Sequence, residues 1–483
     1  MPLTLLHGPA GAGKSTEILR LATQRNIHDP FPDSFFFIVP TASAAETIRQ
    51  KFLALKKTPG LFIGEQVTTF DRFLLALLKN NLPRVHLAEM SFVRNLIRTL
   101  LFSNSYPSLE EIRPFASTPE ALAATFLGLK RNGVGPEEAR ALFARHKTDR
   151  LKDFIQIFSD YQALISRLHY FDSGELTLSA LKLLRRGELK LPQSVTSLYI
   201  DRLFPVTLGQ REILKELVKN FPHLDVTLSY SFDYQSADDP HLYPAYGFLG
   251  ELAETSRYFR GPSPGPQPAL LRFANPAHEV QWLIRQIAET LSSGVMPEEI
   301  GVVLPSHPYY WEKLCGRKDP VAKSLSLSAA REDFEIAWNF ENDLLEGKLA
   351  PSWKEDELKK IGPTPLPSPL GIKWLTLSEA PSFNFKKVFI VGFTASLFPE
   401  LATDHPFFTP EMRQSPEMRE ILGNPAYQWN LAKNWLAQTL ARSEEAVLTY
   451  PASLWGNREQ LPSRLLACHP EPSLCHPEPQ AKD

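Results

Sequence analysis

The chain has 483 residues and a formal net charge of −2, so it is long enough for about two to four compact units with cores of their own. Its 43% hydrophobic and 22% charged residues are ordinary for a soluble globular protein, and the near-neutral charge excludes a global attraction to nucleic acid. No run of about 18 apolar residues offers a membrane span, three cysteines are too few for a disulfide framework, and no basic leader precedes the first element, so we expect a cytoplasmic protein without membrane partners.

The first predicted elements are a strand and a helix, and the loop between them completes a phosphate-binding motif. Residues 8–15 match the pattern G-x-x-x-x-G-K-[ST] in full, between an apolar strand at 3–6 and a helix at 17–24. Such glycines let the backbone approach phosphate oxygens, the lysine reaches the β- and γ-phosphates, and the serine hydroxyl can ligate magnesium. The motif predicts ATP and magnesium as ligands, with Ser15 on the metal and a nucleotide site built from Gly8, Gly11, Ala12, Gly13, Lys14, Ser15 and Thr16.

Further strands and helices follow, interrupted by a long helical stretch. The apolar run at 35–39 is typical of a parallel strand buried on both faces, and helical spacing follows at 44–55. Residues 66–73 indicate a strand entering a helix, and the periodicity from about 75 to 190 is almost wholly helical. Strands resume at 197–201 and 225–230, on either side of a helix at 208–220. These patterns predict an α/β domain over residues 1–258 with a helical insertion at about 75–190.

Asp201 stands at the end of one of these apolar strands. Nucleotide-binding α/β domains use an aspartate in this position to hold magnesium opposite the phosphate loop. We therefore predict Asp201 as the second magnesium residue beside Ser15.

A second α/β pattern begins after a linker at 259–270 that is rich in Pro and Gly. Strand patterns stand at 271–274, 300–304, 374–377 and 388–392, with a helix at 277–291. We expect a second α/β domain over 271–466 with a shorter insertion at about 306–370. The tail, 467–483, repeats Cys-His-Pro-Glu-Pro and is typical of a low-complexity, disordered segment, so we assign Cys468 and Cys475 no metal.

Several motifs resemble those of superfamily 1 helicases of the UvrD type. Val-Pro-Thr at 39–41 and Thr-Thr-Phe-Asp-Arg-Phe at 68–73 follow the phosphate loop and are similar to the early motifs of that family. Phe-Ala-Asn-Pro-Ala-His-Glu-Val at 273–280 and Phe-Lys-Lys-Val-Phe-Ile-Val-Gly-Phe at 385–393 are similar to segments of its second motor domain. The resemblance implies two RecA-like P-loop domains with helical insertions.

Within that family, the chain resembles the AddB-type subunit of bacterial helicase-nucleases, because Asp-Arg-Leu-Phe-Pro-Val-Thr at 201–207 is similar to that subunit's Asp-Gly-Phe-x-x-Phe-Thr segment. The resemblance covers nearly all of 1–466 and implies a subunit that binds ATP and single-stranded or broken duplex DNA. It further implies an AddA-like helicase-nuclease partner and a role in recombinational repair of double-strand breaks. AddB-type proteins also carry a nuclease domain with an iron-sulfur cluster. We expect neither here, because no Glu-x-Lys element follows residue 466, and the repeated tail indicates a truncated or degenerating gene product.

Three departures from the active motors concern catalysis. Those motors follow the magnesium aspartate with a glutamate that polarises the attacking water, whereas this chain has Arg202. The Lys-Gly-x-Glu-Phe element of their fifth motif is Pro-Ser-Phe-Asn-Phe here, at 381–385, and their arginine finger has only Arg442, two positions away, as a substitute. We therefore assign no catalytic residue and favour a nucleotide-holding subunit with an impaired motor. Two alternatives stay open: an active DNA-stimulated ATPase in which Arg442 or Glu279 fills the missing roles, and a non-enzymatic scaffold with a vestigial phosphate loop.

DNA contacts have to be local, because the net charge provides no global field. Two basic clusters are candidates, and they consist of Arg49, Lys51, Lys56 and Lys57 in one and Lys182, Arg185 and Arg186 in the other. Such clusters are also common on ordinary solvated surfaces.

Overall fold

The structure, a computed structural model, describes residues 3–26, 34–55, 66–82, 86–146, 148–231, 243–261, 265–305, 310, 371–399, 405–414, 416–454 and 458–465. Its strands are β1 (Leu3–Gly8), β2 (Phe35–Val39), β3 (Val67–Thr69), β4 (His86–Leu87), β5 (Tyr170–Phe171), β6 (Ser197–Ile200), β7 (Asp225–Ser231), β8 (Ala253–Tyr258), β9 (Ala269–Phe273), β10 (Ile300–Val303), β11 (Lys373–Leu375), β12 (Phe385–Ile390), β13 (Ser443–Pro451), β14 (Ser453–Leu454) and β15 (Arg458–Glu459).

The α-helices of the same described residues are α1 (Lys14–Asn26), α2 (Ala42–Leu55), α3 (Phe70–Asn81), α4 (Met90–Ser103), α5 (Ser117–Arg131), α6 (Pro136–Leu142), α7 (Asp149–Arg167), α8 (Ser173–Arg185), α9 (Leu208–Asn220), α10 (Tyr243–Leu252), α11 (Pro276–Ser292), α12 (Pro416–Leu422) and α13 (Pro425–Leu440). The chain divides into two compact units. Among the described residues, the first holds those through 261 together with 405–430, and the second holds 265–305, 310, 371–399 and 431–465.

The first unit is built on a six-stranded sheet in the order β3-β2-β6-β7-β1-β8, and every pairing in it is parallel. Strands such as β2 are mostly buried because apolar residues fill consecutive positions, as expected for a sheet covered on both faces. One strand, β7, separates β1 from β6. Because all the strands run the same way, Gly8 at the end of β1 and Asp201 just past β6 emerge at the same edge of the sheet.

Helices α4 to α7 form a separate hydrophobic core in the first unit. Helices α4, α5 and α7 each bury an apolar stripe with helical spacing, and α6 contributes Ala139. The ring of Phe126 in α5 stacks on Phe158 of α7 with 4.5 Å between centroids. A segment from late in the chain completes this core. Phe407 and Phe408 are buried in it, and the Phe408 ring lies 5.0 Å from that of Phe143. Neighbours in this core are therefore far apart in sequence.

The second unit is built on a five-stranded sheet in the order β11-β10-β12-β13-β9, again with parallel pairings throughout. Helix α11 packs on it and starts after Asn275, whose side chain accepts a hydrogen bond from the His278 amide at 3.0 Å. Val280 and Leu283 of this helix are buried against Val302 and other sheet residues. The hydrophobic face of α11 therefore anchors it to the sheet.

The predicted α/β class with parallel sheets is confirmed. The predicted strand at 35–39 and helix at 208–220 coincide with β2 and α9, whereas the sequence analysis did not predict β8 or β13. Strand β8 was missed because its residues after Ala253 are exposed and polar for the most part, and β13 because it opens with the polar run Ser443, Glu444 and Glu445.

Several sequence predictions lie outside the described residues. They concern the insertion at 306–370 apart from Tyr310, the tail at 467–483 with its two cysteines, and the basic residues Lys56 and Lys57. Among the helices that the structure does describe, none has the length and apolar character that crossing a membrane requires.

Candidate nucleotide-binding site

The loop between β1 and α1 has a conformation that only glycine adopts easily. Gly8, Gly11 and Gly13 have φ angles of 137°, 78° and 87°. A Cβ atom at Gly8 would also collide with the carbonyl oxygen of Phe259. The Gly13 carbonyl accepts a hydrogen bond from the Glu17 amide at 3.0 Å, which closes the first turn of α1. A glycine loop thus leads directly into a helix N-terminus, which is the arrangement that binds phosphate in many nucleotide-binding folds.

Lys14 is held over this loop. Its side chain is buried, and its Nζ donates hydrogen bonds to the carbonyl oxygens of Gly8 at 2.9 Å and Pro9 at 2.5 Å. A phosphate carries a full negative charge and a carbonyl does not, so a bound phosphate would attract the ammonium more strongly than these carbonyls do. The lysine therefore lies against the loop, and its role on a phosphate stays a prediction.

Three side chains from three elements meet beside the loop. The Ser15 hydroxyl, at the start of α1, donates to Asp201 Oδ1 at 2.9 Å, and the Ser229 hydroxyl on β7 donates to the same oxygen at 2.5 Å. Asp201 is only 1% exposed. The structure therefore brings together the two residues predicted as magnesium ligands, and their role on a metal stays a prediction.

Arg202 directs its side chain into the same cluster. Its Nε donates to the Ser15 Oγ at 2.8 Å and lies 3.3 Å from Asp201 Oδ2. Its backbone amide donates to Ser229 Oγ at 3.1 Å, and its φ angle is 60°. Burial lowers the pKa of this guanidinium and the charge of Asp201 raises it, but an arginine remains protonated under all ordinary conditions. The residue after Asp201 thus supplies a positive charge and is unable to accept a proton from water.

The oxygen atoms of Ser15 and Asp201 are of the kind that Mg²⁺ prefers. Their 2.9 Å separation also suits adjacent positions in an octahedral shell, where ligands at about 2.1 Å from the ion lie about 3 Å apart. Arg202, however, places a cation in contact with both residues. The donors fit a magnesium ion in kind, but the pair does not fit one while the guanidinium keeps these contacts.

Two further side chains influence the charge near the loop. Lys51 is exposed, but neighbouring residues reduce the hydration of its ammonium and so lower its pKa. The nearby Arg202 lowers this pKa further, and Asp201 opposes both effects. Burial and the charge of Lys14 lower the pKa of His7, whose ring lies 5.3 Å from that of Tyr258. At neutral pH His7 is therefore uncharged, and Lys14 and Arg202 supply positive charge beside the loop.

The residues considered for the active-motor alternative belong to the second unit. Glu279 is fully buried, and its carboxylate accepts hydrogen bonds from the Tyr310 hydroxyl at 2.7 Å, the Gly392 amide at 2.9 Å and the Thr449 hydroxyl at 2.6 Å. Burial raises its pKa, and the three donors oppose that shift. Arg442 donates from Nη1 to the Pro381 carbonyl at 2.6 Å. Within the second unit, both residues thus tie separate segments together.

Sequence reasoning missed two features of the site. It identified Arg202 only as a replacement for glutamate, not as a partner of Ser15, and it did not single out Ser229. The sequence did contain a signal for Ser229, because a polar residue inside the apolar strand pattern at 225–230 is expected to be buried and to need a hydrogen-bond partner. In the structure Ser229 is 2% exposed. No signal in the sequence could have shown the direction of the Arg202 side chain.

Residues 3–226, a little less than half of the chain, match the UvrD/REP helicase N-terminal domain. The match begins in β1 and ends in β7, and it contains the phosphate loop, the helical insertion and Asp201. It supports a UvrD-like superfamily 1 helicase, a class that uses ATP with Mg²⁺ and binds DNA. No curated protein matches the chain.

Proposed function

We propose that this chain is a helicase-like, AddB-type subunit that binds ATP and DNA and hydrolyses ATP slowly at most. In this proposal it acts in the cytoplasm, beside an AddA-like partner that carries out translocation, in recombinational repair of double-strand breaks. One observation carries the proposal: a complete phosphate loop stands beside an aspartate that is followed by Arg202, where active motors have a glutamate.

The proposal of ATP binding is supported by the loop itself. The glycine conformations and the buried Lys14 form the set of groups that hold β- and γ-phosphates in phosphate-loop proteins. In UvrD-type helicases the nucleotide is bound with Mg²⁺. Ser15 and Asp201 are the ligands of that ion that the sequence predicts here, and in the structure Arg202 contacts both of them.

The proposal of an impaired motor is supported by the charge of Arg202. A general base has to accept or attract a proton of the attacking water, and a guanidinium does neither. We therefore expect turnover at least about 10³-fold below that of an active motor, which is the scale of losing one group that stabilises phosphoryl transfer.

DNA binding and the partner subunit are the least direct parts of the proposal. The match to the helicase domain favours DNA binding. In the two basic clusters, however, Arg49 pairs with Glu46 at 2.9 Å and Arg185 pairs with Glu212 at 3.3 Å, which leaves exposed Lys51, Lys182 and Arg186 as the stronger candidates among the described residues. With so few cations, we expect the affinity for DNA to fall only moderately with salt, since the slope scales with the number of phosphates contacted.

ATP binding and turnover by the purified chain, with and without single-stranded DNA, test the proposal. We expect a fluorescent ATP analogue to bind, the Lys14→Ala variant to weaken that binding by about tenfold or more, and turnover to stay near background. Lys219→Ala is the matched control, because Lys219 is 72% exposed and lies on α9, away from the loop.

The outcomes separate the three interpretations. DNA-stimulated turnover that Lys14→Ala abolishes would establish an active motor and contradict the proposal. Absence of any nucleotide binding would leave only the scaffold. Binding that requires Lys14, without turnover, supports a nucleotide-holding subunit.

A further inference from the structure

The guanidinium of Arg202 contacts both oxygen-bearing residues at which a divalent ion is expected in phosphate-loop proteins. Its Nε lies 2.8 Å from Ser15 Oγ and 3.3 Å from Asp201 Oδ2. The Ser15 hydroxyl has one proton and two lone pairs, and it uses the proton on Asp201 and one lone pair on Arg202. A cation of this chain thus already links the two side chains.

The acceptors of Asp201 are also in use. Oδ1 accepts from the hydroxyls of Ser15 and Ser229, and Oδ2 faces Arg202. Aspartate and arginine balance each other's charge in a position that is almost fully buried. A divalent ion at the same oxygens would be repelled by the guanidinium at close range, since like charges a few ångströms apart interact strongly away from water.

The backbone at Arg202 is a second, independent observation. Its φ of 60° lies in the left-handed region, which glycine adopts readily and a long side chain does not. The amide of Arg202 is fixed in this conformation by its hydrogen bond to Ser229. An unfavourable backbone conformation that persists in a candidate site is a reason to look for a role of the side chain that it carries.

We infer that Arg202 is a built-in cation that takes the place of magnesium, so that this chain binds ATP without a divalent ion. The inference rests on the proposed ATP binding and specifies its chemistry. Lys14 and Arg202 are the cations that face the phosphates, and Asp201 positions Arg202 rather than a metal. Arginine suits this role because its planar guanidinium pairs with phosphate oxygens as readily as with carboxylates.

The test compares ATP affinity in excess Mg²⁺ with ATP affinity in EDTA, by competition against a fluorescent ATP analogue. For the unchanged chain we expect the two dissociation constants to agree within about threefold. For Arg202→Gly, which suits the left-handed backbone, we expect binding in EDTA to weaken by about tenfold or more and Mg²⁺ to restore it. Arg202→Lys keeps a cation and should remain largely independent of metal.

A second readout measures the metal directly. We expect electron paramagnetic resonance of Mn²⁺ to find the ion retained in the nucleotide complex of Arg202→Gly but not in that of the unchanged chain. Arg20→Ala is the matched control, because Arg20 is 48% exposed on α1 and pairs with Glu17. It should behave like the unchanged chain in both measurements.

The results distinguish this inference from the proposed function. ATP binding by the unchanged chain that requires Mg²⁺, or retention of Mn²⁺ in its nucleotide complex, would overturn the inference and leave the proposed ATP binding intact. Failure to bind ATP in any condition would overturn both. If Arg202→Gly failed to fold, the unchanged chain and Arg202→Lys would still decide the matter through their dependence on metal.

Discussion

A buried lysine in the helical insertion shows how much single residues contribute to this fold. Lys130 is completely buried, and its Nζ donates to Asp172 Oδ2 at 2.7 Å and lies 3.3 Å from Glu175. The Tyr161 hydroxyl donates to the same aspartate oxygen at 2.7 Å, while Asp172 Oδ1 caps α8 by accepting from the Glu175 amide. Burial and the charge of Asp172 raise the pKa of Tyr161, so its hydroxyl remains a donor. A charged pair buried this deeply is satisfied only while every partner is present.

Removing one partner of this pair should therefore be costly. We expect Asp172→Asn, which keeps a side chain able to cap α8, to lower the free energy of unfolding by about 3–5 kcal/mol because it leaves the Lys130 charge buried without its main counter-ion. Urea unfolding measures the change. The exposed pair of Arg185 and Glu212 supplies the control, and Arg185→Gln should cost less than about 1 kcal/mol. A loss for Asp172→Asn as small as the control's would contradict this account.

At the scale of elements, two glycines allow helices to approach the end of α5 closely. A Cβ atom at Gly209 in α9 would collide with the Arg131 carbonyl, and one at Gly174 in α8 would collide with the Lys130 side chain. The start of α9 is also bonded to α5 and its C-terminal turn, through the Thr207 hydroxyl to the Arg131 carbonyl at 3.2 Å and the Leu208 amide to Asn132 Oδ1 at 3.1 Å. These contacts hold α8 and the start of α9 against the end of α5.

A pair of alanine variants tests this packing. We expect Gly209→Ala to destabilise the protein by about 1–3 kcal/mol because the helices would have to separate. Gly128→Ala in α5 is the matched control, since its Cβ would meet nothing within 4 Å and the substitution should stabilise the helix by about 0.5–1 kcal/mol. The midpoints of thermal unfolding of the two variants should thus shift in opposite directions, and a Gly209→Ala variant as stable as Gly128→Ala would show that the close approach does not matter.

At the scale of the whole molecule, the first unit needs a segment from the last quarter of the chain. Phe407 and Phe408 enter the helical core, and His405 precedes them with its Nε2 3.4 Å from the Thr125 hydroxyl and its Nδ1 accepting from the Phe407 amide at 3.2 Å. Burial, with a smaller contribution from Arg413, lowers the pKa of His405 to about 4. The neutral ring is therefore part of the packed segment.

This histidine should make the first unit sensitive to acid. The folded pKa of about 4 lies below the ordinary value of 6.5, so the unfolded chain binds more protons between these values. The stability that this histidine contributes is present above pH 6.5 and is lost as the pH falls toward 4, by about 3 kcal/mol between pH 7 and pH 4. The difference in unfolding free energy between the unchanged chain and His405→Asn, measured from pH 7 to pH 4, should change by this amount. His223→Asn, at an exposed histidine, is the control and should give a smaller change.

The sequence alone determined the features that depend on neighbours in the chain. The phosphate loop was predictable because its glycines, Lys14 and Ser15 stand within a few positions of one another, and the glycines take the positive φ angles that the loop needs. Strand β2 and helix α9 were predictable because one has a continuous apolar run and the other starts directly after Thr207, whose side chain caps it. Strands β8 and β13 were not predicted from the sequence, because their polar residues belong to a strand through pairing in the sheet and not through a hydrophobic pattern.

Only the tertiary structure decided which distant residues meet. Ser15 and Asp201 are 186 positions apart, and Thr125 and His405 are 280 apart, so no local pattern records either contact. Asp201 was predictable as a partner of the loop because parallel strands end at one edge of a sheet, but the direction of the Arg202 side chain depends on a single left-handed residue and a hydrogen bond to Ser229. The sequence thus determined that this chain has a phosphate loop, whereas packing decided which cation stands beside it, because electrostatic contacts depend on distance in space and not on order along the chain.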